Sequence, residues 1–148
     1  SRRITDCRGT CTYPSLSPDG KRVVYRRVDD TPGRNWALQE IQRNSEVYVA
    51  DIDGRNARNL STAAAFDGWP VWSPDGQWIA FASNRAGARA GQVYRIRPDG
   101  SGLQQVTFGP WSHVQPAWSH NGLALYVYRS QETDDDEFGR IAKVVVAP

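Results

Sequence analysis

Methionine is absent from the 148 residues, and cysteine and histidine occur only twice each. Two thiolates make half of a tetrahedral zinc site, and the chain has no second pair to complete one. Two histidines leave little material for acid–base chemistry. No run approaches the ~20 apolar residues that a membrane-spanning helix needs. Neither sign of charge dominates: 18 Lys and Arg face 16 Asp and Glu, for a net charge of +2 spread along the chain. A basic stripe for nucleic acid is therefore not indicated. A Gly-x-Ser-x-Gly elbow, a P-loop, a dinucleotide fingerprint and His-Glu-x-x-His are all missing. We expect no catalytic role, no cofactor and no metal. The chain opens on Ser1 rather than Met, which leaves a removed signal peptide and a piece of a longer chain both open.

Glycine and proline are plentiful instead, and six Trp, six Tyr and four Phe supply bulk for filling layers between sheets. The stretch Trp69-Pro70-Val71-Trp72-Ser73-Pro74-Asp75-Gly76-Gln77-Trp78-Ile79-Ala80-Phe81 reads as strand, tight turn, strand. Pro74 pre-sets φ, Asp75 bonds its own backbone, and Gly76 takes a positive φ. The stretch recurs at 13–25 and 115–127, with prolines 14, 70 and 116 fixing the register at spacings of 56 and 46. A second pattern follows each copy: Ser45-Glu46-Val47-Tyr48 through Asp53-Gly54 matches Gly91-Gln92-Val93-Tyr94 through Asp99-Gly100, and 140–146 is a worn third. A third pattern precedes each copy: Arg3-Ile4-Thr5, Asn59-Leu60-Ser61 and Gln105-Val106-Thr107.

A period in the forties with four short strands per repeat is the signature of a β-propeller blade. The strands, named from the axis outward, are A (Pro-x-x-Ser), B (after the turn), C (Val-Tyr) and D (Leu-Ser or Val-Thr). We therefore predict an all-β, single-domain propeller of three four-stranded blades, with strand sets D-A-B-C at 3–54, 59–100 and 105–146. An insertion between B and C at 29–44 explains the longer first spacing. Within it, 36–43 has the pattern of a short helical turn with Leu38 and Ile41 on one side.

Cys7 and Cys11 fall in the first D–A loop with Gly9 between them. A local disulfide and free thiols are both open readings, and a disulfide would favour an exported protein. The Asp-Gly pairs at 19–20, 53–54, 75–76 and 99–100 are turn formers. Trp72 and Trp118 fall at the Leu16 position and read as core, while His120 decorates a turn. The acidic loop 132–137 offers oxygen ligands for Ca²⁺ but lacks the spacing of an EF-hand, and it reads first as a solvated loop.

With this register in place, the chain resembles the TolB-like, PD40-type propeller repeat. The residues that carry the likeness are 70–81, then Ser83-Asn84-Arg85, Gly91-Gln92-Val93-Tyr94, Pro98-Asp99-Gly100 and Gln105-Val106-Thr107. Blade three departs, with His120-Asn121 in place of Pro-Asp. The resemblance implies a non-catalytic protein-binding module in the periplasm or outside the cell. It also leaves open the propeller part of a prolyl-oligopeptidase-like hydrolase, or a small-ligand or carbohydrate binder at the channel mouth.

The irregular loops all fall on the D–A/B–C face, where variation on a rigid scaffold places function. Arg8, Trp36, Arg85, Trp111 and His113 are the candidate partner-binding residues there, because Trp and Arg dominate interface hot spots. Arg85 also reads as a loop staple. Three blades do not close a ring, and complete propellers of the resembled family carry six or more. A homodimer that sets the 3–5 strand of each copy beside 140–146 of the other would close six blades; membership of a longer propeller is the competing explanation.

Overall fold

The computed structural model of the protein describes residues 4, 7, 9–28, 44–87, 91–130 and 139–146. These form eleven strands in chain order: β1 (Thr10–Leu16), β2 (Arg22–Val28), β3 (Glu46–Asp51), β4 (Arg58–Asn59), β5 (Asp67–Trp72), β6 (Ile79–Ser83), β7 (Gln92–Ile96), β8 (Gln104–Gln105), β9 (Ser112–Trp118), β10 (Ala124–Ser130) and β11 (Arg140–Val145). They make three antiparallel sheets, β1-β2-β3-β4, β5-β6-β7-β8 and β9-β10-β11, in the propeller type of fold that the repeat foretells. Each four-stranded sheet takes its outermost strand from the segment that follows β3 or β7. The third sheet departs from the expected four strands. It holds three among the described residues, because β8, the D segment just before it, pairs with β7 of the second sheet.

The turn between the first two strands of each sheet is one device built three times. Ser17 Oγ donates to Asp19 Oδ1 and accepts from the Arg22 amide, while the Lys21 amide donates to Asp19 Oδ1. Ser73, Asp75, Gln77 and Trp78 repeat it, as do Ser119, Asn121, Leu123 and Ala124. Asn121 serves because the turn needs only one side-chain oxygen at that point, so the His120-Asn121 departure leaves the hairpin intact. The serine hydroxyls hold the Asp19 and Asp75 carboxyls below the usual range.

Short outer strands are fixed by a hydroxyl hook. Ser61 Oγ accepts the Val47 amide at 2.9 Å and donates to Glu46 Oε2 at 2.6 Å. Thr107 Oγ1 accepts the Val93 amide at 2.8 Å and donates to Gln92 Oε1 at 2.8 Å. The first of these ladders ends after two residues because Asn59 Oδ1 turns back to accept the Ser61 and Thr62 amides.

The sheets stack through apolar layers. Val24, Val47 and Val49 meet Trp72, Ile79, Phe81 and Ile96 between the first and second sheets, and Leu60 closes that layer. Ala80 and Val93 meet Leu125 and Val127 between the second and third, with Val106 packed in the corresponding place. Ile4 packs with Val23, Tyr25 and Ala50 on the outer face of the first sheet. Of the three residues in the Trp72 register, Trp72 is buried, Trp118 is half-buried, and Leu16 is 57% exposed with no sheet beyond it to cover it among the described residues.

Candidate functional site

The three innermost strands share a distortion that residue types do not advertise. Tyr13, Trp69 and Gln115, each directly before the register proline, have φ of 54°, 50° and 53°. All three inner pairs slip register at this point. Proline has no amide to give the ladder, so the strand bulges there. A left-handed conformation costs a side chain about 1–2 kcal/mol per residue.

The three bulges line one concave wall with Pro14, Pro70 and Pro116. Trp69 anchors it, with its ring 5.9 Å from Tyr13 and 4.9 Å from Phe66. Tyr13 is 37% exposed, Pro14 and Gln115 are exposed and Trp69 is half-buried, whereas Pro70 and Pro116 are buried, so the wall presents aromatic surface with one proline and an amide at one end.

The loop rim beside the wall is tied inward. Arg85 reaches back from the β6–β7 loop to Asp67, with its Nη2 at 3.0 and 3.1 Å from the two carboxylate oxygens. It also donates to the Ser61 carbonyl and, through Nε, to Ser83 Oγ. Its guanidinium lies 5.3 Å from the Phe81 ring centre and 5.2 Å from that of Tyr94. Asp67 is fully buried and the Arg85 side chain is 15% exposed, so this pair staples two loops.

His113 is likewise buried, on β9. Gln92 Nε2 donates to the Gly109 and Trp111 carbonyls, which makes Oε1 its acceptor and places the proton of His113 on Nδ1, 3.2 Å away. Burial first, and the Arg129 charge second, hold the imidazole below its usual range. Trp111 is half-buried with the Arg129 guanidinium 4.7 Å from its ring centre. The structure thus spends Arg85 and His113 on internal bonds and sets Trp111 against Arg129. Arg8 and Trp36 lie outside the described residues, as do the 36–43 turn and the 132–137 loop. Cys7 and Cys11 form a disulfide with a Cα–Cα distance of 6.1 Å, set against Val23, Tyr25 and Ala50. No cluster of three or more His, Cys, Asp or Glu fit for a metal occurs among the described residues.

The residues that reasoning from sequence misses are Tyr13, Trp69 and Gln115. Their only signal is their position before the register proline.

Comparison with known proteins agrees with this geometry. The chain matches the family described as the TolB beta propeller domain (PD40) over residues 1–144. It is 32% identical over 105 residues to the uncharacterized protein Atu1656 of Agrobacterium fabrum, covering 68% of this chain and 31% of that one. To the uncharacterized peptidase YuxL of Bacillus subtilis it is 29% identical over 116 residues, covering 78% of this chain and 17% of that one. The solved structure of a putative TolB from Agrobacterium tumefaciens superposes with a TM-score of 0.79 at 26% identity, covering 97% of this chain and 48% of its own. The chain therefore spans less than a third of these two curated relatives and about half of that solved propeller.

Proposed function

Since the chain belongs to the TolB β-propeller domain family, we propose that it is a non-catalytic protein-binding module that takes its partner along the inner wall and the loop rim around it. One observation carries this reading: three left-handed residues, two of them aromatic, are held at conformational cost on a single exposed wall. Backbone strain of this kind gathers at ligand-contacting positions. Exposed aromatic surface suits a polypeptide, and Tyr and Trp are the residues that anchor such contacts. On this reading the wall is half of a channel in a six-bladed ring, and the protein works in the periplasm or outside the cell, where the Cys7–Cys11 disulfide persists.

Photocrosslinking tests it. With p-benzoylphenylalanine in place of Tyr13, irradiation in the native cell is expected to yield a discrete protein adduct, and the same group in place of Leu103, on the opposite rim, none. Adducts of equal yield at both positions, or none at Tyr13, would overturn the reading.

The peptidase relative favours a second reading, in which the chain is the propeller part of a hydrolase and the wall gates a catalytic domain encoded beside it. An α/β-hydrolase segment in the same open reading frame would decide for it.

A further inference from the structure

At the turn end of the sheets, away from the inner wall, a cleft of about 810 Å³ lies between the second and third sheets. Trp78, Arg95, Arg97 and Gln104 line one side, and Trp118 and His120 line the other. Both sides come from residues well inside the chain, 73–104 and 118–123. Small-ligand sites are typically of this size, roughly 300–1,000 Å³.

The repeat shows which of these residues the architecture does not require. By the pairings Val23↔Ala50, Ile79↔Ile96 and Leu125↔Val144, Arg95 and Arg97 stand where the first sheet has Val49 and Asp51 and the third has Lys143 and Val145. His120 stands where the other two turns have Pro18 and Pro74. Gln104 stands opposite Arg95 as Arg58 stands opposite Val49. Arg58 crosses the first seam, its Nη2 donating to the Pro98 carbonyl at 2.5 Å, and the opening there is about 330 Å³. Gln104 instead turns back on its own sheet and accepts from Arg95 Nε at 2.9 Å. The wider opening is the one at this second seam.

The two arginines are held in place before any ligand arrives. Their guanidinium carbons lie 4.3 and 4.5 Å from the Trp78 ring centre, so one indole positions both. Arg95 is buried and Arg97 is exposed. Burial first, and the Arg97 charge second, hold the Arg95 guanidinium below its usual range. Two like charges are thus kept together at a cost that an anion beside them relieves.

The acids and backbone amides nearby are engaged elsewhere. Among the described residues Asp75 is the one acid lining the cleft, and its carboxylate accepts from the Ser73 hydroxyl and the Gln77 amide. Asp99, on the turn after Arg97, feels that charge but accepts from the Ser101 amide and hydroxyl. The Gly76 and Gly122 amides close their own turns, and those of Trp78 and Leu123 donate to Ser73 Oγ and Asn121 Oδ1. A phosphate is commonly cradled by a nest of backbone amides. Here the donors are guanidinium forks and side-chain amides, which match a planar carboxylate.

We propose that this cleft is a second binding site, which takes a small organic carboxylate between the Arg95–Arg97 pair and the Trp118–His120 side. It is separate from the inner wall and does not depend on what that wall binds.

Titration calorimetry of the full chain at low ionic strength tests it, with glutarate, citrate, inorganic phosphate and acetyl-tetraglutamate amide as probes. We expect glutarate or citrate to bind, and more tightly than phosphate. Arg97→Gln is expected to weaken that binding by roughly tenfold or more, the loss of a hydrogen bond to a charged group. Since Arg97 is exposed, the variant should keep the wild-type melting temperature. Arg55→Gln makes the same change of charge at a side chain that is 82% exposed on the turn of the first sheet, and it leaves the affinity unchanged. No heat with either carboxylate, phosphate bound as tightly, or Arg97→Gln binding like wild type would overturn the proposal. Tighter binding of the tetraglutamate than of both small carboxylates would also overturn it, in favour of an acidic polypeptide.

Discussion

The Arg85 guanidinium meets both carboxylate oxygens of Asp67, at 3.0 and 3.1 Å, across eighteen residues of chain, and Asp67 has no exposed surface. The pair locks the loop after β6 to the entry of β5, and the neighbouring Asn84 does the same through the Phe66 amide and carbonyl. Removing one partner of a buried pair strands the other charge, at about 3–5 kcal/mol. Arg85→Ala should therefore lower the melting temperature by roughly 6–15 °C for a chain of this size. Adding Asp67→Asn should restore part of the loss, because the stranded charge is then gone. A single variant that melts within a degree or two of wild type in calorimetry would show the pair to be ornamental.

The hydroxyl hook makes a sharper test of the outer strands. Thr107→Val keeps the shape and removes the acceptor of the Val93 amide and the donor to Gln92. A buried donor left without a partner costs about 1–3 kcal/mol. We expect chemical denaturation to show a loss of that size for Thr107→Val and nearly none for Thr107→Ser, with Ser61→Ala behaving like the valine variant at the other seam.

Much of this architecture is legible in the sequence, and the reason is repetition. A Ser-x-Asp turn whose hydroxyl, carboxylate and two amides must meet admits few residue types, so it leaves the same letters at 17–19 and 73–75 and a near match at 119–121. The hook likewise leaves Ser61 and Thr107. The left-handed bulge leaves nothing of the sort, because Tyr13, Trp69 and Gln115 share a backbone conformation and no side-chain chemistry. Asp67 is equally silent, since a carboxylate in a loop gives no sign of which arginine it will bury against. Arg85 reads from the sequence both as an anchor and as a loop staple, and the staple is what the structure shows, but its partner Asp67 leaves no mark in the sequence.

Gln115 isolates the strain of the bulge, because its side chain is exposed while its φ is 53°. Glycine adopts that conformation without the steric penalty but has more backbone freedom to lose on folding. The steric penalty outweighs the lost freedom, at about 1–2 kcal/mol against 0.5–1 kcal/mol. Gln115→Gly is therefore expected to raise stability by roughly 0.5–1 kcal/mol, and Gln115→Val, β-branched, to lower it. A glycine variant less stable than wild type would mean that the bulge is held by contacts of the glutamine itself.

His113 sets the response to mild acid. Its imidazole is buried and neutral, with Nδ1 committed to Gln92 Oε1 and Arg129 as a nearby positive charge. Its pKa in the folded protein is thus lowered, whereas in the unfolded chain it returns to about 6.5. Above that value neither state carries the proton and stability is indifferent to this group. As pH falls through about 6.5, the unfolded chain takes up the proton first, so the folded state loses stability progressively until the depressed folded pKa is reached. The carboxyls of Asp19, Asp75 and Asp99 are shifted the same way but act only below about 4, because their unfolded pKa lies there. Between pH 7 and 5 the histidine stands apart from them. Denaturation midpoints over that window should fall for wild type and stay level for His113→Asn, whose amide nitrogen reproduces the donor without titrating. Parallel slopes in the two proteins would place the acid sensitivity elsewhere and would deny His113 its buried neutral state.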